Sequence, residues 1–255
     1  MHSITLIGYF KLAAGFAKQP KSFANFKTTN HTTMNFFKKL FGNKQNKESI
    51  PEDNFSQEEY DRDYEQKTAG LEAVLGKMHD TVGHAIIPFS VGGAVDMYYF
   101  PNHIKGTGFA TMELLDPDGN RPKPNRIGTY ELVAFTKELY NESENKETAF
   151  NNIERRHCGI LTSIGNYSFQ AILNPLETCE IPRDGEENRC LVFDHYQPGA
   201  NEFKVGEREH HLLLCLEVHK SEMEFARKNG SNELIELLKQ KGYYPYSDLD
   251  RKAVV

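Results

Sequence analysis

Residues 211–218, HLLLCLEV, are a short unbroken apolar run that leads directly into helix-start chemistry, and no other stretch constrains the fold as much. A run this short, bounded by polar residues, fits a strand better than a helix of ordinary length. Ser221 and Glu224 then stand three apart as a capping box, and the helix through Phe225 and Ala226 should stop at Asn229 and Gly230. Ser231 caps a second helix, NELIELLKQK, which buries Leu234, Ile235, Leu237 and Leu238 and ends at Gly242. The pattern predicts one strand followed by a pair of short helices with a glycine break between them.

Residues 95–115, VDMYYFPNHIKGTGFATMELL, read as strand, turn and strand. β-Branched and aromatic residues fill VDMYYF, Pro101 and Asn102 break the run, Gly106 and Gly108 give turn freedom, and the strand pattern resumes in FATMEL. Further strands are expected at 86–91, 129–136, 168–173 and 189–194. The segment 116–125, DPDGNRPKPN, is a loop expected to project into solvent. One helix should start at Ser56 with an acidic first turn and carry Leu71, Val74, Leu75 and Met78 on one face, which packs on the sheet. A second spans 148–164, where Phe150, Ile153, His157, Ile160, Leu161 and Ile164 recur three and four apart. Helices and strands alternate without strict βα order, which predicts an α+β fold: a mixed β-sheet packed by helices, in a single layered domain over residues 56–255 with a C-terminal helix pair.

Charge is unevenly placed. Residues 1–50 hold eight lysines and one glutamate, whereas residues 51–255 hold 22 basic and 35 acidic residues. The globular part is therefore acidic, which disfavours nonspecific nucleic-acid binding and favours a basic partner. Residues 1–55 are expected to be a flexible basic segment. Met34 opens MNFFKKLFGNKQNK, which has the look of a bacterial protein start, so translation begins at either Met1 or Met34. Residues 36–41 combine apolar and basic side chains that could touch an anionic membrane weakly, against a plain basic tail. No apolar run approaches the roughly 20 residues of a spanning helix, so no stable membrane insertion is expected. Cys158, Cys179, Cys190 and Cys215 have no CxxC spacing and are expected to be reduced, buried thiols of a cytoplasmic protein.

Enzyme chemistry finds weak support. His79 and His84 are five apart with no third ligand at matching spacing and are expected to lie at a helix end. His210 and His211 are neighbours on a strand, so they point to opposite faces, one to the core and one to solvent. His157 and Cys158 are adjacent on a helix and do not face each other as a nucleophile pair would. GTGF at 106–109 lacks the Gly-Lys-Ser/Thr of a phosphate loop and enters a strand. Asp96, Glu113, Glu131 and Asp194 could converge as paired carboxylates, but strand alternation turns them to solvent by default. The basic tip 121–126, RPKPNR, has no interleaved aromatic and reads as a solvated turn.

Taken in order, AVDMYYFPN, GFATMEL, TYELVAFTKE, CLVFDHYQPG and HLLLCLEVHKSEMEFARKNGSNELIELLKQKG ending in DLDRK resemble the Suppressor of fused domain family, over residues 71–251. The stand-alone bacterial type is the nearest resemblance. It implies a noncatalytic protein-binding module with no cofactor and no metal, of a kind that includes immunity proteins neutralising a cognate toxin. An acidic body suits a basic toxin domain. Tyr98, Tyr196, Tyr243 and Tyr244 are interface candidates because tyrosine is enriched at binding hot spots, with core packing the alternative for each. The competing reading is a metal-dependent or acid–base hydrolase using the histidines and carboxylates above.

Overall fold

The computed structural model describes residues 3–5, 16–20, 56–117, 122–142, 147–196 and 203–255, the first two stretches as backbone. The Met34 start, the 36–41 segment, the centre of the 116–125 loop and the end of CLVFDHYQPG lie outside these residues.

Eight strands make the body of one open mixed sheet: β3 (Thr81–Ala85), β4 (Met97–Phe100), β5 (Thr107–Ala110), β6 (Thr129–Thr136), β7 (Thr178–Ile181), β8 (Arg189–His195), β9 (Phe203–Val205) and β10 (Arg208–Val218). Two short strands, β1 (Ser3–Thr5) and β2 (Phe16–Pro20), pair with β7 and β3 at the edges. The order across the sheet is β1-β7-β8-β10-β6-β5-β4-β3-β2, with β9 paired to the start of β10. β10 lies in the interior of the sheet, parallel to β6 and antiparallel to β8.

The interior place of β10 explains its composition. Leu212, Leu214, Leu216 and Val218 enter one core while Leu213 and Cys215 enter the other, because successive strand side chains face opposite ways. A strand with both faces covered has no solvent side and reads as continuous apolar sequence. Helices α1 (Gln57–Leu75), α3 (Lys220–Asn229) and α4 (Ser231–Gln240) cover the first face through Leu71, Leu75, Met223, Ala226, Leu234 and Leu238. Helix α2 (Ala149–Ser168) covers the second with Phe150, Ile160, Leu161 and Ile164. The expected α+β fold with its C-terminal helix pair is present, and the sheet lies between two helical layers.

Helix ends follow local chemistry. Ser56 and Glu59 close the capping box of α1, with Ser56 N–H donating to Glu59 at 2.8 Å and Glu59 N–H to Ser56 Oγ at 3.3 Å. Thr148 Oγ1 accepts from Asn151 N–H at 3.1 Å and starts α2. The cap of α3 differs from expectation. β10 runs to Val218, so His219 is the capping residue and its N–H donates to Glu222 at 2.9 Å, where Ser221 and Glu224 were expected to pair.

Other expectations need correction. Residues 86–91 are not a strand: β3 ends at Ala85, and a single 3-10 turn (Phe89–Val91) closes with Gly92 in the left-handed region at φ 87°. Gly93 N–H donates to Pro88 O at 3.0 Å, and a side chain at Gly93 would collide with Ile87 O, so the bend requires glycine there. Residues 168–173 are not a strand either, because α2 continues to Ser168, whose hydroxyl donates to Gly165 O at 2.6 Å. β3, β7 and β9 are three to five residues long and carry too few alternations for their period to register in the sequence. The C-terminal part of the 116–125 loop folds back onto the body: Asn125 is buried and its Nδ2 donates to Leu173 O at 2.8 Å.

Candidate functional site

Three of the four carboxylates expected to face solvent meet inside the molecule. Thr111 follows β5 and keeps one backbone bond to β6, its N–H donating to Leu132 O at 3.0 Å. Residues 112–115 then leave the sheet, which uncovers the amides of Leu114 and Leu115. Glu131, on β6 and fully buried, accepts from both at 3.2 and 3.1 Å, and from Thr111 Oγ1 at 2.6 Å. Lys67, buried on α1, places its ammonium 3.5 Å from Glu131 and 2.9 Å from Asp63, and donates to the carbonyls of Met112 and Leu115. A buried lysine is tolerated because carboxylates and carbonyls surround its charge.

Asp96 extends this cluster toward the surface. Its Oδ1 accepts from Ala85 N–H at 2.9 Å, its Oδ2 pairs with His84 Nδ1, and its own N–H donates to Glu113 at 3.3 Å. Burial, then the nearby negative charge of Asp96, pushes the Glu113 carboxyl up to about 8. The arrangement ties α1, β3, β6 and residues 111–115 together, and most of its donors and acceptors are spent within the fold. Asp194 stands apart and accepts from Tyr244 Oη and His195 N–H, both at 2.9 Å.

The histidines are separated. α1 ends at Leu75, so His79 and His84 do not end a helix: His79 Nδ1 accepts from Thr81 N–H at 3.1 Å, and His84 lies in β3. His210 and His211 point to different partners, as strand neighbours must, yet both are buried, which corrects the expectation that one meets solvent. His210 Nδ1 is 2.9 Å from Thr129 Oγ1 with its ring against Phe203, and His211 packs edge-on against His195. Burial holds the His210 imidazole well below its ordinary range. His157 bonds Ile153 O within α2 while Cys158 Sγ lies 3.8 Å from Thr162 Oγ1, so the two are not a nucleophile pair. All four cysteines are free and buried, and burial pushes the thiols of Cys158 and Cys179 up to about 12. Among the described residues, no group of three His, Cys, Asp or Glu side chains is placed to hold a metal ion, and no helix is long and apolar enough to cross a membrane. GTGF leads into β5.

Tyr98 and Tyr196 are buried in the core, Tyr196 Oη lying 2.6 Å from His103 Nε2. Tyr243 and Tyr244 are half-buried beneath cations: Arg251 lies 4.8 Å from the centre of the Tyr243 ring and Lys239 5.1 Å from that of Tyr244. A different surface was not expected. The failed strand at 86–91 exposes Ile86, Ile87 and Val91, and the turn after α2 exposes Phe169 and Ile172. Buried Phe89 joins the two segments, its ring 5.4 Å from that of Phe169. The apolar character of 86–91 was legible, but its exposure depends on the bend at Gly92 and Gly93.

The domain is an α+β one, a mixed sheet between helical layers with a C-terminal helix pair. The family described as Suppressor of fused protein (SUFU) matches residues 96–252, and the chain belongs to that family. The crystal structure of Drosophila Suppressor of Fused shares the fold at TM-score 0.53 and 16% identity, over 76% of this chain and 51% of that one, so this chain spans about half its length. A structure described as the Sufu-Fu complex matches at TM-score 0.44 and 18% identity, over 69% of this chain and 77% of that one. A comparison with curated protein sequences found no match.

Proposed function

We propose that this chain is a noncatalytic protein-binding module whose partner is a basic protein, in its most concrete form a toxin domain that it neutralises as a bacterial immunity protein in the cytoplasm. The observation that carries this reading is the outer face of α1, where Glu58, Asp61 and Glu65 are exposed with Arg62 as the one cation among them. The same sign prevails over residues 51–255 as a whole. Such a field steers a basic partner and repels nucleic acid. Membership of the Suppressor of fused family fits the same role.

The experiment is co-expression of the full chain with the product of each neighbouring gene. The expected result is one neighbour that arrests growth alone, is harmless with this chain, and co-elutes with it in a complex that loosens as salt rises. Neighbours that are all harmless alone would end the toxin version, and a complex indifferent to salt would end the electrostatic one.

The hydrolase reading has one observation in its favour, the meeting of Asp96 with a Glu113 that keeps its proton near neutral pH. Against it, both Asp96 oxygens are engaged by β3, which leaves little capacity to activate water. Glu113→Gln separates the two readings, since a binding module keeps partner neutralisation and an acid–base enzyme loses its turnover.

A further inference from the structure

We propose that the apolar face centred on Phe89, built from residues 86–91 and the turn 169–172, is the seat of a second copy of this chain. Three features of the face carry the argument.

The first is extent. Ile86 is 70% exposed and Val91 62%, with Ile87, Phe169 and Ile172 between about 40 and 50%. Together these side chains present on the order of 500 Å² of apolar surface, at the upper end of what a monomer leaves uncovered. A standard interface buries about 800 Å² per partner, and homodimer interfaces are about 65% apolar, so a patch of this size supplies nearly all the apolar part that a dimer needs.

The second is charge. Residues 81–95 and 157–176 contain no Asp, Glu, Lys or Arg, in a body that is otherwise strongly acidic. Asp96, next in sequence, is turned inward onto Ala85 N–H and His84. Two acidic bodies repel across most of their surfaces and meet at least cost where neither carries charge. A basic partner gains nothing from this face and is drawn elsewhere, so the occupant it selects is an equally uncharged surface.

The third is shape. The exposed aliphatic side chains of Ile86, Ile87 and Val91 flank Phe89 in the chain, and the Phe89–Phe169 ring contact at 5.4 Å joins that aliphatic arm to the aromatic end at Phe169. A two-fold axis through Phe89 lays the arm of each copy on the aromatic end of the other, the self-complementary arrangement that an isologous contact requires. Phe89 packs on Gly165, where a Cβ would come within 3.1 Å of its ring, and Gly93 holds the bend, so the patch is rigid before it is covered.

The test is sedimentation velocity on the full chain, with Ile87→Asp and Val91→Asp as variants and Leu139→Asp as control, Leu139 being 68% exposed outside the patch. The wild type is expected to sediment at twice the mass of one chain at about 100 µM, and each patch variant to weaken the dimer by about 100-fold or more. The control keeps the wild-type mass, and all variants keep the wild-type circular dichroism because the altered side chains are exposed. Added salt leaves the dimer intact or tightens it by screening repulsion. A wild type that stays monomeric overturns the proposal, as does a dimer that survives Ile87→Asp or is equally lost in Leu139→Asp. Hydrogen-exchange protection of 86–91 and 169–172 in a monomer would assign the face to another part of the same chain and also overturn it.

Discussion

Arg251 grips the Glu222 carboxylate with both terminal guanidinium nitrogens, Nη1 on Oε1 at 2.6 Å and Nη2 on Oε2 at 2.8 Å. Glu222 lies in the first turn of α3, fully buried, and also accepts from His219 N–H and Val254 N–H at 2.9 Å each. The pair fastens the end of the described chain to the start of the helix pair.

Removing the cation is therefore costly. Arg251→Ala strands a buried carboxylate and is expected to cost about 3–5 kcal/mol, read from urea unfolding. Burial alone would raise the Glu222 carboxyl, but the Arg251 guanidinium and the two amides outweigh it and hold the group below its usual range. The stability from this pair is present above the ordinary glutamate range and is lost as pH falls through the depressed folded value. An Arg251→Ala variant within about 1 kcal/mol of wild type would show that the contact contributes little.

Glu113 acts with the opposite sign. Its folded carboxyl titrates at about 8, above its unfolded range, so between the two the folded state holds a proton that the unfolded state has released. Stability from this group falls as pH rises from about 4.5 toward 8 and is level outside that window. Glu113→Gln cannot titrate, so unfolding free energies of variant and wild type should diverge steadily over the window in favour of the variant. Parallel curves would place the Glu113 titration elsewhere.

The Asp96–Glu113 meeting was legible as residue types but not as a place. Asp96 and Glu113 are 17 positions apart, and Lys67 and Leu115 are 48 apart, so their approach depends on how residues 111–115 leave the sheet beneath α1. A default of outward-facing carboxylates fails where a strand is covered on both faces, because there is then no outward side for Glu131.

His157 contributes to the acid limb beside His210, whose imidazole is also held down by burial. His157 is fully buried, and burial lowers its imidazole below the ordinary value, so below about 6.5 the unfolded chain takes up a proton that the folded chain refuses. Stability is lost as pH falls from that point. His157→Asn should lower stability overall while flattening its pH dependence between about 7 and 5, followed by thermal melts at several pH values. A slope equal to that of wild type would assign the acid sensitivity to other groups.

The four buried thiols should resist modification. With Cys158 and Cys179 pushed up to about 12 and Cys190 to about 11, thiolate is scarce in the folded state. Ellman's reagent is expected to label the native protein at the rate of its unfolding and to label all four thiols at once in denaturant. A fast native phase would mean that at least one thiol is accessible.

What the sequence determined by itself was local. The Ser56 cap, the length of β6 at 129–136, the strand at 211–218 and the two helices broken at Gly230 are written in short-range patterns, although Ser231 is not the expected cap: it lies inside α4 after Gly230, and its hydroxyl donates to Leu176 O at 2.8 Å. The five ordered blocks also carried the family. Tertiary structure decided the rest. Covering both faces of β10 buried His210 and His211 together, since an interior strand so covered has no solvent side to give either ring. The cap of α3 falls at His219 and not at Ser221, because Glu222, held in place by Arg251, accepts the His219 N–H. The bend at Gly92 and Gly93 turned an expected strand into an exposed apolar face. Caps and periods act over three or four residues and can be read in place, whereas burial is a property of what lies above and below a strand and exists only once the layers have packed.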